Sequence, residues 1–183
     1  AAVGAEIRGV DLSQGIDDAT FAEIDAALSA HAVIFLRGQH ITPQQQVDFS
    51  RRFGEIEINA FSKYALKENP AVLVVSNIKE NGKDIGYADA GSHWHTDMSY
   101  TKTPPRLTML YAVEVPHRDG TPLGNTWFAS AVAAYDDLPD ATKRTIEGKR
   151  AIHRFAAKER GVKKPVALTP EQIAKNPDVI HPV

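Results

Sequence analysis

Apolar and polar residues alternate in some parts of the chain and recur at helical spacing in others, which predicts a mixture of strands and helices. Residues 4–12 alternate and predict an edge strand, whereas residues 32–37 are almost continuously apolar and predict a buried strand. Between them, Phe21, Ile24 and Leu28 lie three and four positions apart, so they form the apolar face of a helix. The first part of the chain therefore predicts a strand, a helix and a second strand.

Residues that cap helices mark where further helices begin. Asp17 or Asp18 precedes the first helix, and Ser130 precedes another. Two more starts share one pattern, in which a threonine is followed by a proline and then by a glutamine that can close a capping box: Thr42, Pro43 and Gln45, and Thr169, Pro170 and Gln172. A helix that starts near Pro139 and stops at Gly148 completes the set.

Four further apolar segments predict strands: residues 71–78, 106–115, 124–130 and 150–155. Asn81 and Gly82, which follow the first of them, form the dipeptide typical of a two-residue hairpin turn. The strands are separated by turns rather than by regular crossover helices, which favours an antiparallel sandwich or barrel with added helices. The chain is thus expected to be an α+β, mainly β, protein that forms one domain over residues 1–183.

The composition narrows the class of protein without identifying it. The 183 residues are enough for one domain with a sizeable core, and 43% hydrophobic with 24% charged residues is typical of a globular protein. A formal net charge of -2 argues against a nucleic acid or an anionic membrane as the main partner, and no apolar run is long enough to cross a bilayer. There is no cysteine, so a metal has to be held by nitrogen and oxygen ligands, and a reducing cytoplasm is the expected compartment.

The segment GSHWHTDMSY, residues 91–100, places His93, His95 and Asp97 within five positions. In a strand, alternate side chains point to the same face, so His95 and Asp97 are expected to project together. One compatible site is the two-histidine, one-carboxylate triad of non-haem Fe(II) oxygenases, completed by a distant histidine. The other is a dinuclear zinc hydrolase that uses all three residues, although Met98 stands where such enzymes normally have another histidine.

The sequence around the motif favours the first interpretation, whereas a His-x-Asp pair alone is also common on protein surfaces. WHTDMSYTKTPPRLTMLYAVEVP and GNTWFAS resemble the TauD/TfdA family of Fe(II)- and 2-oxoglutarate-dependent dioxygenases. GAEIRGVDLS, VIFLRGQHITPQQQVDFSRRFGEIE, AVAAYDDLP and NPDVIHPV resemble the same family in the same order, so the resemblance covers nearly all 183 residues. It implies a double-stranded β-helix, or jelly roll, with flanking helices.

The resemblance also implies roles for individual residues. His95 and Asp97 match the family's first two iron ligands and would be catalytic. Thr126, within Gly124-Asn125-Thr126, matches a threonine whose hydroxyl helps to bind 2-oxoglutarate, and Asn125 replaces the family's usual aspartate. The implied reaction uses Fe(II), 2-oxoglutarate and O₂ to hydroxylate a small organic acid, and it releases succinate and CO₂.

The expected substrate pocket departs from that of the taurine-using members of the family. Asn59 and Gly91 stand where those members have a histidine and an asparagine that contact the substrate. Loss of a polar partner in a buried site is costly, so another sulfonate, a sulfate ester or an aryloxyalkanoate is expected instead of taurine. Four residues are expected to line the pocket: Asn59, Phe61, Tyr64 and Ser92.

Two residues of the family pattern have no match in this sequence. They are a third iron ligand, which is a histidine, and an arginine that pairs with 2-oxoglutarate, whereas His117, His153 and His181 read as surface or packing residues. We therefore expect the sequence to lack the family's C-terminal portion and the 183 residues alone to be inactive. The alternatives are a natural inactive fragment, a zinc hydrolase, and a jelly-roll binding module without turnover; association into homo-oligomers stays open.

Overall fold

The computed structural model describes residues 3–58, 62–88, 91, 94–155 and 169–183. These residues fall into two compact units. The first contains the chain up to Ile56 together with Met109–Leu138, and the second contains Glu57–Thr108 together with Pro139–Val183. Neither unit is therefore a continuous stretch of the chain.

Helices and short strands are interspersed along the described residues. Their order is β1 (Ala5–Ile7), α1 (Asp18–His31), β2 (Ile34–Leu36), α2 (Pro43–Arg51), β3 (Lys79–Glu80), β4 (Lys83–Asp84), β5 (His117–Arg118), β6 (Thr121–Pro122), α3 (Ala131–Asp136), α4 (Asp140–Ile146), β7 (Arg150–His153), α5 (Pro170–Lys175) and β8 (Val179–Pro182). In this part of the chain the strands pair as β1–β2, β3–β4, β5–β6 and β7–β8. None of the helices described here has both the length and the apolar character that crossing a membrane requires.

A strand, a helix and a strand begin the first unit. β1 and β2 are parallel, with Ala5 opposite Ile34 and Ile7 opposite Leu36, and α1 is the crossover between them. Parallel neighbours need such a crossover because the chain has to return to the same end of the sheet. All three elements lie where the sequence predicts them, but the expected antiparallel arrangement is wrong for this pair.

Side-chain caps begin α1 and α2, as the sequence predicts. Asp17 Oδ1 accepts a hydrogen bond of 2.7 Å from the Thr20 amide at the start of α1. At the start of α2, the Gln45 amide donates to Thr42 Oγ1 at 3.2 Å, and the Thr42 amide donates to Gln45 Oε1 at 2.8 Å. These amides would otherwise lack a partner, because the first turn of a helix has no preceding carbonyls to bind.

The apolar core of the described residues lies in the first unit. Its buried side chains come from the segment between β1 and α1, from α1, and from the start of α2 and the loop before it: Leu12, Ile24, Ile41 and Val47. Phe21, Phe49 and Phe53 pack edge to face, with the shortest distance between ring centroids at 4.7 Å. The Arg52 guanidinium lies 4.3 Å from the centroid of the Phe21 ring. Aromatic contacts therefore join α1 to α2.

Two antiparallel strand pairs belong to the second unit. Asn81 and Gly82 join β3 to β4, and both have positive φ, 49° and 76°, which is the conformation that a type I′ turn requires. The predicted Asn-Gly hairpin is therefore confirmed. β7 and β8 pair along their whole length, with His153 opposite Val179, and β7 lies inside the predicted strand 150–155.

Three predicted strands are not strands in the structure: residues 71–78, 106–115 and 124–130. A strand is held by hydrogen bonds to a neighbour, and an apolar segment alone does not supply that neighbour. The first segment comes closest, because Leu73 forms an isolated antiparallel bridge with Ala65 and the Tyr87 amide donates to the Val74 carbonyl at 2.8 Å. The described residues therefore do not form the continuous sandwich or barrel that the sequence led us to expect.

Many large apolar side chains are exposed in the described ranges. Val113, Trp127 and Trp94 are exposed by 87%, 76% and 70%, respectively. Single exposed apolar residues are ordinary, but groups of them mark surfaces that pack against another element or partner.

Candidate metal site

Neither His95 nor Asp97 lies on a strand: His95 is in an irregular segment, and Asp97 begins the turn that follows it. The segment 94–100 contains no strand and turns at Met98, which has a φ of 49°. The amide and the hydroxyl of Thr101 both donate to the Met98 carbonyl, at 3.0 and 2.9 Å, and close this turn. The expectation that a strand presents both side chains on one face is therefore wrong, because a left-handed residue directly after Asp97 ends any extended backbone.

The turn still brings the two side chains together. His95 Nε2 lies 3.1 Å from Asp97 Oδ1, which is within hydrogen-bond distance. The other carboxylate oxygen, Asp97 Oδ2, accepts a hydrogen bond of 2.7 Å from the hydroxyl of Thr108. The side chains of His95 and Asp97 are 42% and 47% exposed, so the pair is open to a small ligand.

The two donor atoms have the separation that neighbouring ligands of one metal ion need. Metal–nitrogen and metal–oxygen bonds of roughly 2.1 Å that meet at a right angle place the ligand atoms about 3.0 Å apart. The distance between His95 Nε2 and Asp97 Oδ1 is 3.1 Å. An imidazole nitrogen and a carboxylate oxygen are also the ligand types of non-haem iron. The pair therefore fits two positions of such a site.

The described residues do not supply a third protein ligand. Within them, no three His, Cys, Asp or Glu side chains cluster closely enough to hold a metal ion. His93 lies outside the described residues, so the alternative that uses H-x-H-x-D is not tested. His153 and His181 contact each other, with ring centroids 5.0 Å apart, and His181 Nε2 lies 3.0 Å from the Thr101 carbonyl. His181 therefore joins the paired strands β7 and β8 to the turn.

Tyr100 connects the same turn to the end of β7. Its ring packs against Phe155 with 4.7 Å between the centroids. Burial raises the pKa of Tyr100, and the negative charges of Glu57 and Asp97 raise it further. The Tyr100 phenol therefore stays protonated and neutral near the Asp97 carboxylate at any physiological pH.

The remaining candidates are distributed over both units. Thr126 is exposed and belongs to the first unit, whereas His95 and Asp97 belong to the second. The ring of Tyr64 stacks on that of Tyr87, with centroids 5.9 Å apart. Three predicted pocket residues lie outside the described residues: Asn59, Phe61 and Ser92. The roles assigned to all these side chains stay predictions.

Thr108 is the candidate that the sequence pattern missed. It lies inside the predicted strand 106–115 and looked like an ordinary β-branched strand residue. One signal pointed the other way, because Pro104 and Pro105 directly before this segment indicate a loop. That loop returns the chain to Asp97.

The chain matches one family model along its length, that of the taurine catabolism dioxygenase TauD, TfdA family, over residues 1–183. Pentalenolactone F synthase of Streptomyces avermitilis is 37% identical over 157 residues, which are 84% of this chain and 50% of that protein. The alpha-ketoglutarate-dependent sulfate ester dioxygenase of Pseudomonas putida is 34% identical over 82% of this chain and 46% of its own length. The (S)-phenoxypropionate/alpha-ketoglutarate-dioxygenase of Delftia acidovorans is 31% identical over 84% of this chain and 52% of its own length.

A solved structure also resembles this one. The crystal structure of a taurine dioxygenase from Burkholderia xenovorans matches with a TM-score of 0.62 and 28% identity, over 85% of this chain and 52% of that one. The chain thus spans about half the length of the curated relatives and of the solved structure that it matches.

Proposed function

Because the chain belongs to the taurine catabolism dioxygenase TauD, TfdA family, we propose that the intact protein is an Fe(II)- and 2-oxoglutarate-dependent dioxygenase. One observation carries the proposal at the level of residues: His95 Nε2 and Asp97 Oδ1 form a contact of 3.1 Å, so the two atoms are close enough to serve as neighbouring ligands of one metal ion. The family match supports this assignment. We also propose that the complete fold is a jelly roll to which the described helices and hairpins contribute.

The residues of the chain hold and orient the reacting groups. When bound, Fe(II) would supply the site at which 2-oxoglutarate and O₂ react, so that the substrate is hydroxylated while succinate and CO₂ are released. His95 offers a neutral imidazole nitrogen, and Asp97 offers a carboxylate oxygen that offsets part of the charge of the ion. A site with three protein ligands leaves further positions open for the cosubstrate. The hydroxyl of Thr126 would donate a hydrogen bond to a carboxylate of 2-oxoglutarate.

A small organic acid is the proposed substrate, namely a sulfonate, a sulfate ester or an aryloxyalkanoate. Two relatives support this class, since their names state action on sulfate esters and on (S)-phenoxypropionate. The proposed lining residues are Asn59, Phe61, Tyr64 and Ser92. Taurine should support turnover poorly, because Asn59 and Gly91 replace two polar contacts that taurine-using members have.

The cytoplasm is the proposed compartment. The sequence contains no cysteine, so no disulfide of its own calls for an oxidising environment.

Addition of Fe(II) and 2-oxoglutarate to the intact protein without oxygen tests the proposed function. A weak metal-to-ligand charge-transfer band in the visible is expected for the wild type and should be absent in Asp97→Ala. Succinate formation is then measured with oxygen across small sulfonates, sulfate esters and aryloxyalkanoates, with taurine for comparison.

Other outcomes would favour the competing functions. Zn(II)-dependent hydrolysis without succinate, lost in His93→Ala, would indicate a zinc hydrolase. Tight binding of an organic acid with neither the visible band nor turnover would indicate a binding module.

A further inference from the structure

The two carboxylate oxygens of Asp97 have different neighbours. Oδ1 faces His95 Nε2 at 3.1 Å, whereas Oδ2 accepts the hydroxyl of Thr108 at 2.7 Å. A hydroxyl-to-carboxylate distance of this length is typical of a charge-assisted hydrogen bond, which is stronger than one between neutral groups. Thr108 therefore engages the oxygen of Asp97 that does not face His95.

A stiff loop delivers the Thr108 hydroxyl to this position. The loop between Asp97 and Thr108 is closed at its start by the hydrogen bonds of Thr101, and it contains Pro104 and Pro105, whose rings fix the backbone angle φ. Thr108 is itself β-branched and has few favourable rotamers. Little conformational freedom is therefore lost when the hydroxyl and the carboxylate meet.

We propose that Thr108 is a positioning residue of the metal site, whose hydroxyl holds Asp97 Oδ2 and so orients the carboxylate to offer Oδ1 to the metal ion. This role rests on the proposed iron site. A carboxylate with two free oxygens can rotate, or it can bind a metal ion through both of them. The second mode would fill a position that a site of this class keeps open for the cosubstrate. With Oδ2 held by Thr108, binding of the metal ion through Oδ1 alone would be favoured over binding through both oxygens.

Metal binding by variants of the intact protein tests this role. Thr108→Val removes the hydroxyl at nearly constant volume, and we expect its affinity for Mn(II), titrated by electron paramagnetic resonance, to fall about 10-fold, as for other groups that orient a metal ligand. Thr108→Ser keeps the hydroxyl and should keep most of the affinity. Thr103→Val is the matched control, because Thr103 is an exposed threonine of the same loop. The affinity of this variant for Mn(II) should equal that of the wild type.

The visible spectrum of the Co(II)-loaded protein supplies a readout that a purely structural role of Thr108 would not move. It reports the number and arrangement of the ligands, so it should change in Thr108→Val and resemble the wild type in Thr108→Ser. Far-UV circular dichroism and the melting temperature establish that each variant is folded. If valine disturbs the fold, Thr108→Ala provides a second variant without the hydroxyl, with the same expected result.

The possible failures of the two proposals can be told apart. If folded hydroxyl-free variants match the wild type in Mn(II) affinity and Co(II) spectrum while Asp97→Ala loses binding, Thr108 has no positioning role and the metal site stands. If the wild type itself binds neither Mn(II) nor Co(II), the proposed metal site is wrong, and the proposed role of Thr108 is wrong as well.

Discussion

Met98, directly after Asp97, has a φ of 49°, a left-handed conformation that few residues other than glycine and asparagine adopt readily. The surroundings therefore have to hold it there, and two hydrogen bonds from Thr101 to its carbonyl do so. Backbone strain of this kind is found disproportionately at functional sites. Here the left-handed residue directly follows Asp97.

His95→Ala and Asp97→Ala are each expected to abolish Fe(II) binding by the intact protein, because each removes one of the three protein ligands of such a site. His93→Ala should keep most of the binding, which an anaerobic Fe(II) titration measures. His117→Ala is the control, since the exposed His117 ring contacts the Val115 carbonyl, at 2.9 Å. Equal losses in His93→Ala and His95→Ala would instead favour the dinuclear zinc site.

Thr126→Val should raise the KM for 2-oxoglutarate in the intact enzyme. The change is nearly isosteric and removes one hydrogen bond to a charged group, worth roughly 1.5–3 kcal/mol, so the KM should rise by about one to two orders of magnitude. Steady-state succinate release at varied 2-oxoglutarate concentration measures it. An unchanged KM would show that Thr126 was assigned the wrong role.

Short-range relations among these residues could be predicted from the sequence, and longer ones could not. The pairing of His95 with Asp97 followed from their spacing, although a turn rather than a strand produces it. The contact between Thr108 and Asp97 spans 11 positions and depends on the course of the loop between them. No local pattern encodes that course beyond the two prolines.

The same distinction applies to secondary-structure elements. The starts of α2 and α5 were predicted because each capping box is made by residues three positions apart. The β3–β4 hairpin was predicted because Asn81 and Gly82 fix its turn by themselves. The segments 71–78, 106–115 and 124–130 have strand-like composition, but a strand also needs a partner that is distant in sequence. Composition carries no information on whether that partner is there.

An ion pair lies at one end of the antiparallel β7–β8 strand pair. Arg154 follows β7 and Asp178 precedes β8, and the guanidinium binds both carboxylate oxygens, with Nη2 at 2.6 Å from Oδ2. The hydrogen bonds from Arg154 and then its charge hold the pKa of Asp178 below the usual range. Because the pKa of Asp178 is lower in the folded state than in the unfolded state, the ionised carboxylate stabilises the fold at any pH above its unfolded-state pKa. This stabilisation is lost as the pH falls through the folded-state pKa.

We therefore expect acid to lower the stability of the β7–β8 strand pair. The stability of the wild type to urea should fall between pH 7 and about pH 3, a pH below the ordinary pKa of an aspartate. The stability of Asp178→Asn should fall less over the same interval. Asp119→Asn, which changes an exposed residue in the turn between β5 and β6, is the control and should follow the wild type. Identical pH dependence in Asp178→Asn and the wild type would show that the ion pair contributes nothing to folding.

For the whole molecule, the jelly roll was implied by resemblance alone. The likeness to a solved taurine dioxygenase supports the fold over the part that matches, with a TM-score of 0.62. The described residues form only small sheets and leave large apolar side chains exposed, among them Val113 and Trp127. Packing of another segment against these side chains would bury apolar surface and so stabilise the described structure.

A polypeptide of residues 1–183 alone should bind the dye anilinonaphthalene sulfonate and self-associate. Val113 and Trp127 are exposed by 87% and 76%, and exposed apolar groups of this kind promote association. Dye fluorescence and light scattering measure both effects. The double substitution of Val113→Lys and Trp127→Lys should reduce both the dye fluorescence and the light scattering. A wild-type polypeptide that is monodisperse and does not enhance the dye fluorescence would contradict the expectation.

Among the described residues, the buried apolar side chains lie in the stretch from Leu12 to Val47, and this has a consequence for local opening. Backbone amides exchange with deuterium when their segment opens, and segments with more buried apolar contacts open less often. Peptides from α1, which carries the buried Ile24, should therefore take up deuterium most slowly in mass spectrometry. Peptides from the exposed β5–β6 hairpin and α3 should exchange early, although they belong to the same unit. If peptides from β7 and β8 took up deuterium most slowly, the segment that opens least often would lie outside the stretch from Leu12 to Val47, and the prediction would be wrong.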